Sequence, residues 1–291
     1  MTDFLSIINK VKPKNAVITN ETYASRLRGL EARNVDFMNY PETLGKISTL
    51  FKKKTMKSCL TAISIYLQGI SADPELLKTY NDGILKIGEE IVNQDNNNEL
   101  NETEKENMVT RQQIRDLIKH YKSIDTLDAS QRHMVLNLYY LIPPVRNDYV
   151  GTLVYMYPPK TMNTTKNYIV LSEKKFIVNR YKTAGVYGTT EIKLPKELVK
   201  IINSHMKMRR AENPTLKSRE LLMNKNMVPM TQVNLTMYLN SIFGRNISST
   251  MLRKSYLSEK YPVTHTVNDM RQDARNMMHS VATQQSTYRK K

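Results

Sequence analysis

Apolar positions in the first ninety residues recur at helical spacing. Leu44, Ile47, Leu50 and Phe51 fall on one face, and Cys59, Leu60, Ile63, Tyr66 and Leu67 repeat the pattern. Pro41 and the run Lys52-Lys53-Lys54 mark the breaks, and Ser71-Ala72-Asp73-Pro74 opens another helix. The pattern then stops. Residues 93–107, N-Q-D-N-N-N-E-L-N-E-T-E-K-E-N, are polar, acidic and almost without apolar side chains. Such a stretch cannot bury itself and reads as a linker between a helical domain, 1–92, and a larger one, 108–291.

Beyond the linker, Met108–Tyr121 and Ser130–Leu141 have helical periodicity, the second ending against Pro143-Pro144. The period then changes to two. Tyr149–Tyr157, Asn167–Leu171, Lys175–Val178 and Thr189–Leu194 are short, rich in Val, Ile, Tyr and Thr, and separated by turn residues, which predicts a small antiparallel sheet. Pro195 starts a helix running to about Arg210. Thr231–Phe243, Ser248–Tyr256 and Thr266–Met278 are helical again, the last with Thr266 and Asp269 spaced as a capping box. The fold class expected is mainly α with a small antiparallel β-sheet, a helical domain followed by an α+β domain.

Charge changes this picture from a fold to a partner. Forty-four Lys and Arg face 27 Asp and Glu, for a formal charge of +17. A globular chain so basic points to a polyanion, with nucleic acid the first choice. Lys52, Lys53, Lys54 and Lys57 are candidate DNA-binding residues, although a charge cluster is more often only a solvated face. No apolar run approaches the ~20 residues of a membrane span, and no charged leader precedes a long apolar stretch, so no membrane or secretory role is expected. The single Cys59 excludes an internal disulfide and a cysteine metal site, and fits an intracellular, reducing compartment.

Most chemistries lack their residues. There is no phosphate loop of the G-x-x-x-x-G-K type, the five histidines lack zinc spacing, and no acidic cluster suggests a two-metal nuclease. No cofactor or metal is expected. What remains is a series of basic residues with a terminal tyrosine. Arg146 follows the proline pair in L-I-P-P-V-R-N-D-Y, Lys182 lies between two predicted strands in N-R-Y-K-T-A-G, and Arg253 sits early in a helix in S-S-T-M-L-R-K-S-Y. His279 then precedes Tyr288 by nine residues, in M-M-H-S-V-A-T-Q-Q-S-T-Y. Singly, each is an ordinary surface, turn or capping residue.

In that order the series resembles the tyrosine recombinase (phage-integrase-like) family, whose catalytic domain carries an arginine, a β-turn lysine, an H-x-x-R helix, a G-H box and a tyrosine nucleophile. The resemblance spans the second domain and has the flavour of viral or mobile-element members. Two positions depart from it. Thr250 stands where the family has the histidine of H-x-x-R, and could bond a phosphate but not act as a base near neutral pH. Tyr149 stands where a carboxylate often follows the first arginine, with Asp148 one residue earlier.

The resemblance implies a DNA core-binding domain at 1–92 and a DNA breaking-rejoining domain at 108–291. It implies site-specific recombination, integration or excision, through a covalent 3′-phosphotyrosine. Tyr288 is then the nucleophile, Arg146, Arg253 and His279 bind the phosphate, Lys182 is the acid for the leaving oxygen, and Thr250 replaces a histidine. The implied partners are double-stranded DNA and accessory DNA-bending proteins, with a tetramer on two DNA sites and a monomer when free. The setting is a prokaryotic or virus-infected cytoplasm, or a nucleus. A type IB DNA topoisomerase uses nearly the same residues, and a catalytically inactive DNA-binding protein with the same fold is the other alternative. With three residues beyond it, Tyr288 is expected on a short terminal helix after Ser280, loosely held without DNA.

Overall fold

The structure, a computed structural model, describes residues 2–96, 100, 102–261 and 267–288. The chain divides into two compact units, Met1–Asn97 and Asn98–Lys291.

The first unit is helical: α1 (Phe4–Val11), α2 (Val17–Glu31), α3 (Tyr40–Leu50), α4 (Lys53–Gly69) and α5 (Pro74–Asn96). Its core gathers Phe4, Ile8, Leu27, Leu30, Ile47, Leu60 and Ile63, each at or near complete burial. Side-chain caps set helix starts where water would otherwise have to satisfy the first N–H groups. Asp3 accepts from the Ser6 amide, and Asn39 does so from the Glu42 amide. The lysine cluster does not lie between helices. Lys52 is the N-cap residue of α4, while Lys53, Lys54 and Lys57 belong to its first two turns. Lys53 also pairs with Glu90 at 2.8 Å, an exposed pair that removes one cation from the cluster.

The acidic segment is partly helical where it is described. α5 continues to Asn96, and α6 (Glu102–Asn107) is helical. An all-polar helix shows no apolar period to read; α6 is held instead by the ion pair of half-buried Glu104 with buried Lys254. Arg245 adds a hydrogen bond to the Glu106 carbonyl at 3.1 Å.

The second unit continues with α7 (Arg111–Lys122), α8 (Leu127–Leu141), β1 (Thr152–Tyr155), β2 (Asn167–Val170), β3 (Lys175–Val178), α9 (Ala184–Tyr187), β4 (Thr190–Lys193), α10 (Lys196–Glu212), α11 (Gln232–Phe243), α12 (Ser249–Lys260), α13 (Val267–Asn276) and α14 (Val281–Thr283). It ends in a π-helical turn, Gln284–Tyr288. Caps again place the boundaries. Thr110 and Gln113 form a capping box that starts α7 three residues after Met108, and Thr126 starts α8 three residues before Ser130. Gly244, in the left-handed region at φ 65°, ends α11. The cap expected at Thr266 lies outside the described residues.

The sheet has the order β1-β2-β3-β4 and is mixed. β2–β3 and β3–β4 are antiparallel as expected, but β1 and β2 are parallel. Residues 156–166 carry the chain back along the sheet before β2 begins, so this is a crossover and not a hairpin. Behind the sheet, Tyr149 stacks on Phe176 at 5.5 Å and meets Tyr139 edge-on at 5.3 Å. This packing fixes the turn that carries Arg146. No described helix is long and apolar enough to cross a membrane.

Candidate active site around Tyr288

Four of the expected residues converge within the second unit. Arg146 lies in the turn between α8 and β1, with its carbonyl accepting from Tyr139 Oη at 3.3 Å. Its Nη2 donates to the Tyr288 hydroxyl at 3.2 Å. Arg253, in the second turn of α12, has its guanidinium carbon 4.5 Å from the Tyr288 ring centre. His279 stacks on the same ring, centroids 5.0 Å apart and 24° from parallel. The guanidinium and the imidazole, themselves in contact, both pack against the phenol ring.

Arg253 has no exposed surface, and its orientation is set by backbone carbonyls. Nη1 donates to Pro144 O at 2.9 Å, and Nη2 to Met277 O at 3.0 Å. Nη2 also lies 2.8 Å from His279 Nδ1. Burial pushes the guanidinium down to about 10, with the neighbouring Tyr288 opposing that shift and Arg146 adding to it. It stays cationic at neutral pH. Burial, then Arg253, then Arg146 push the His279 imidazole down to about 3, so this ring is neutral.

His279 reaches the site through a helix end. Past α13, the His279 amide bonds to Ala274 O and the Met278 amide to Arg275 O, both at 3.0 Å. Met278 has φ 57°. This is a Schellman ending, with the left-handed residue at Met278. A glycine is the usual solution there. Here Met278 accepts the strain and is buried in the core.

Behind Tyr288, Asp273 ties α12 to α13. Its Oδ2 accepts from Tyr256 Oη at 3.1 Å and Tyr261 Oη at 2.7 Å, and pairs with Lys260 at 2.6 Å. Burial, with Asp273 adding, pushes both phenols far above their ordinary range, so both remain donors. Tyr288 packs with Tyr256, Leu257, Tyr261, Met270 and Met277 and is 5 % exposed. It does follow Ser280 on a short helical segment, but it is packed and not loosely held. The sequence could not anticipate this, because its neighbours come from α12 and α13.

Lys182 is exposed in the connection from β3 to α9. Its neighbour Thr183 donates Oγ1 to Met278 O at 3.0 Å, which ties the lysine's turn to the His279 segment. Thr250 is exposed in the first turn of α12 and is not among the side chains gathered on Tyr288. Lys52, Lys53, Lys54 and Lys57 belong to the first unit.

Three residues matter that the sequence did not single out or left undecided. Burial raises the Asp148 carboxyl above its ordinary range against the pull of Arg146 and Arg253, and its Oδ2 has no partner among the described residues. Asn167 is buried with all four of its polar valences used. Its Nδ2 donates to Asp148 O and Arg180 O, both at 3.0 Å, and its Oδ1 accepts from the Asn179 and Arg180 amides. Gln284 is fully buried in the π-turn with neither amide atom partnered among the described residues. An asparagine opening a strand and a glutamine in a polar tail carry no local signal of this.

The arrangement can hold an anion. Arg146 Nη1, Arg253 Nε and His279 Nε2 are buried donors without partners among the described residues. Buried donors are ordinarily satisfied, and a group of orphans marks a place where a ligand can bind. Among the described residues, no three His, Cys, Asp or Glu gather as a metal site.

No protein-family model matches the chain, and no curated protein matches it. Among solved structures, a crystal structure of XerA recombinase is similar over 99 % of this chain and 94 % of that one, at 13 % identity and a TM-score of 0.45.

Proposed function

We propose that this chain breaks and rejoins duplex DNA by transesterification, and that the reaction serves site-specific recombination. The observation that carries the reading is the group of unpartnered donors on Arg146, Arg253 and His279 around the hydroxyl of Tyr288. A tetrahedral phosphodiester can take three donors from residues that all contact Tyr288, two of them cationic, and gains charge-assisted bonds that water cannot match in a buried site. The charge of +17 supplies the attraction to a polyanion.

Tyr288 Oη attacks phosphorus, and the bond from phosphorus to the 5′-oxygen breaks. The phenol proton is lost to water, since Thr250 is no base. Arg146 and Arg253 stabilise the added negative charge of the pentavalent transition state, and neutral His279 donates from Nε2. Lys182 protonates the departing oxygen from its exposed turn. The phosphotyrosine keeps the bond energy, and a 5′-hydroxyl attacking it reverses the sequence. Attack by another duplex's hydroxyl gives recombination; attack by the original one gives relaxation.

The test is a duplex library carrying nicks near random sites, so that cleavage loses a short fragment and traps the adduct. Covalent label on the native chain, absent with Tyr288→Phe, supports the reading. Strong DNA binding without any adduct leaves an inactive DNA-binding protein. Relaxation of supercoiled plasmid with no exchanged strands leaves a topoisomerase.

A further inference from the structure

We propose that α9 is an apolar wedge that enters the base stack of duplex DNA beside the phosphate bound at Tyr288, an inference that rests on the reading of that site as one that takes DNA. Val186 is 76 % exposed and Tyr187 49 % exposed, side by side on this single turn. Neither is more than about half buried in the free chain, which leaves their apolar surface available to a partner.

The turn is anchored at both ends. At its base, Thr183 Oγ1 donates to Met278 O, one residue before His279. Tyr181 Oη donates to Gly188 O at 2.7 Å and closes the loop, while Gly188, at φ 66°, turns the chain into β4. The Val186 and Tyr187 amides both bond to Thr183 O, which fixes the tip on its base. Two apolar side chains are therefore held at a set distance from a residue of the phosphate site.

The surroundings are basic. Val186 and Tyr187 share a cavity of about 840 Å³ with Arg271, Arg275, His279 and Glu191. Arg271 and Arg275 are exposed one helical turn apart on α13. Glu191 is the acidic member, and it is already paired with Lys175 at 2.9 Å. Lys182 is exposed at the wedge's base. Cations that can follow phosphates, flanking an apolar tip, are the combination by which groove-binding proteins unstack a base step and kink a duplex. A kink next to the scissile phosphate would free that phosphate to turn toward Arg146, Arg253 and His279.

The experiment needs no knowledge of the target sequence. Nicked circular plasmid is closed by ligase in the presence of Tyr288→Phe protein, and the linking-number distribution is read on a gel. An inserted wedge unwinds the duplex, so the distribution shifts in proportion to bound protein. In the same background, Val186→Ser with Tyr187→Ser, compared at equal occupancy, is expected to lose at least three-quarters of that shift. Val186→Leu with Tyr187→Phe is expected to keep it. An equal shift from the serine variant, or bound parent protein without any shift, overturns the proposal. Adduct formation by the native chain is scored separately. An adduct without a shift removes the wedge and leaves the Tyr288 chemistry; a shift without an adduct retains the wedge and removes the cleavage.

Discussion

Nη2 of Arg253 lies 2.8 Å from Nδ1 of His279, and this decides which imidazole nitrogen carries hydrogen. A guanidinium only donates, so Nδ1 accepts and the proton of the neutral ring sits on Nε2. That nitrogen is buried and without a partner among the described residues. His279→Ala should lower the single-turnover cleavage rate on the order of 10²–10³-fold, the usual cost of one preorganised donor. Because the ring titrates near about 3, the cleavage-rate profile of the native chain should show no histidine inflection between pH 5 and 8. An inflection lost in His279→Asn would contradict this assignment.

Asn167 joins the Asp148 segment to Arg180, two residues before Lys182. Asn167→Ala removes four hydrogen bonds, at ~1 kcal/mol each, while Asp148 O keeps its bond from Thr152 Oγ1. Urea unfolding should show a loss of about 4 kcal/mol. The turn bearing the acid should loosen as well. A duplex whose leaving atom is sulfur needs no proton donor, so it should restore cleavage to Lys182→Ala fully and to Asn167→Ala in large part. Equal slowness on both substrates would place the defect elsewhere.

Lys254, beside Arg253 in sequence, is buried against Glu104 of α6. Glu104→Ala leaves an ammonium in a low-dielectric site, and stability should fall by roughly 3 kcal/mol. Glu104→Leu with Lys254→Met should recover most of that loss in the same denaturation measurement, since the desolvation cost disappears with the charges.

His205 is almost fully buried, with its pKa pushed down to about 3 by burial, Arg209 adding to the shift. Unfolded, it takes a proton near ~6.5. Between those values the unfolded chain binds more protons than the folded one, so stability falls as pH drops from about 6.5 toward 3. His279 adds to the same window. His205→Gln should flatten the slope of unfolding free energy against pH by about 1.4 kcal/mol per unit there. An unchanged slope would mean His205 is protonated in the folded chain.

Much of the fold was legible because it is written locally. The helices of the first unit follow apolar spacing, and strands β2 to β4 follow short β-branched and aromatic runs between turn residues, with alternating burial in β4. The parallel pairing of β1 was not legible, since direction depends on where residues 156–166 travel. α6 was missed because Glu104 finds its partner 150 residues away. At the site, order and spacing identified Arg146, Arg253, His279 and Tyr288, which do meet. Thr250 had only its position in a motif to recommend it. The roles of Asp273 and Asn167 depend on side chains from other elements, and nothing in their own neighbourhoods announces them.

The π-turn Gln284–Tyr288 has a further consequence. Such turns hold one residue more than the α-turn they interrupt. Relaxed to α-geometry, the segment would carry its last side chain about 100° round the axis, off the side that meets Arg146 and His279. The interval from His279 to Tyr288 therefore behaves as a screw setting. Deleting the one extra residue would let the turn relax to α-geometry with the hydroxyl still on its side, whereas a one-residue insertion would carry it off.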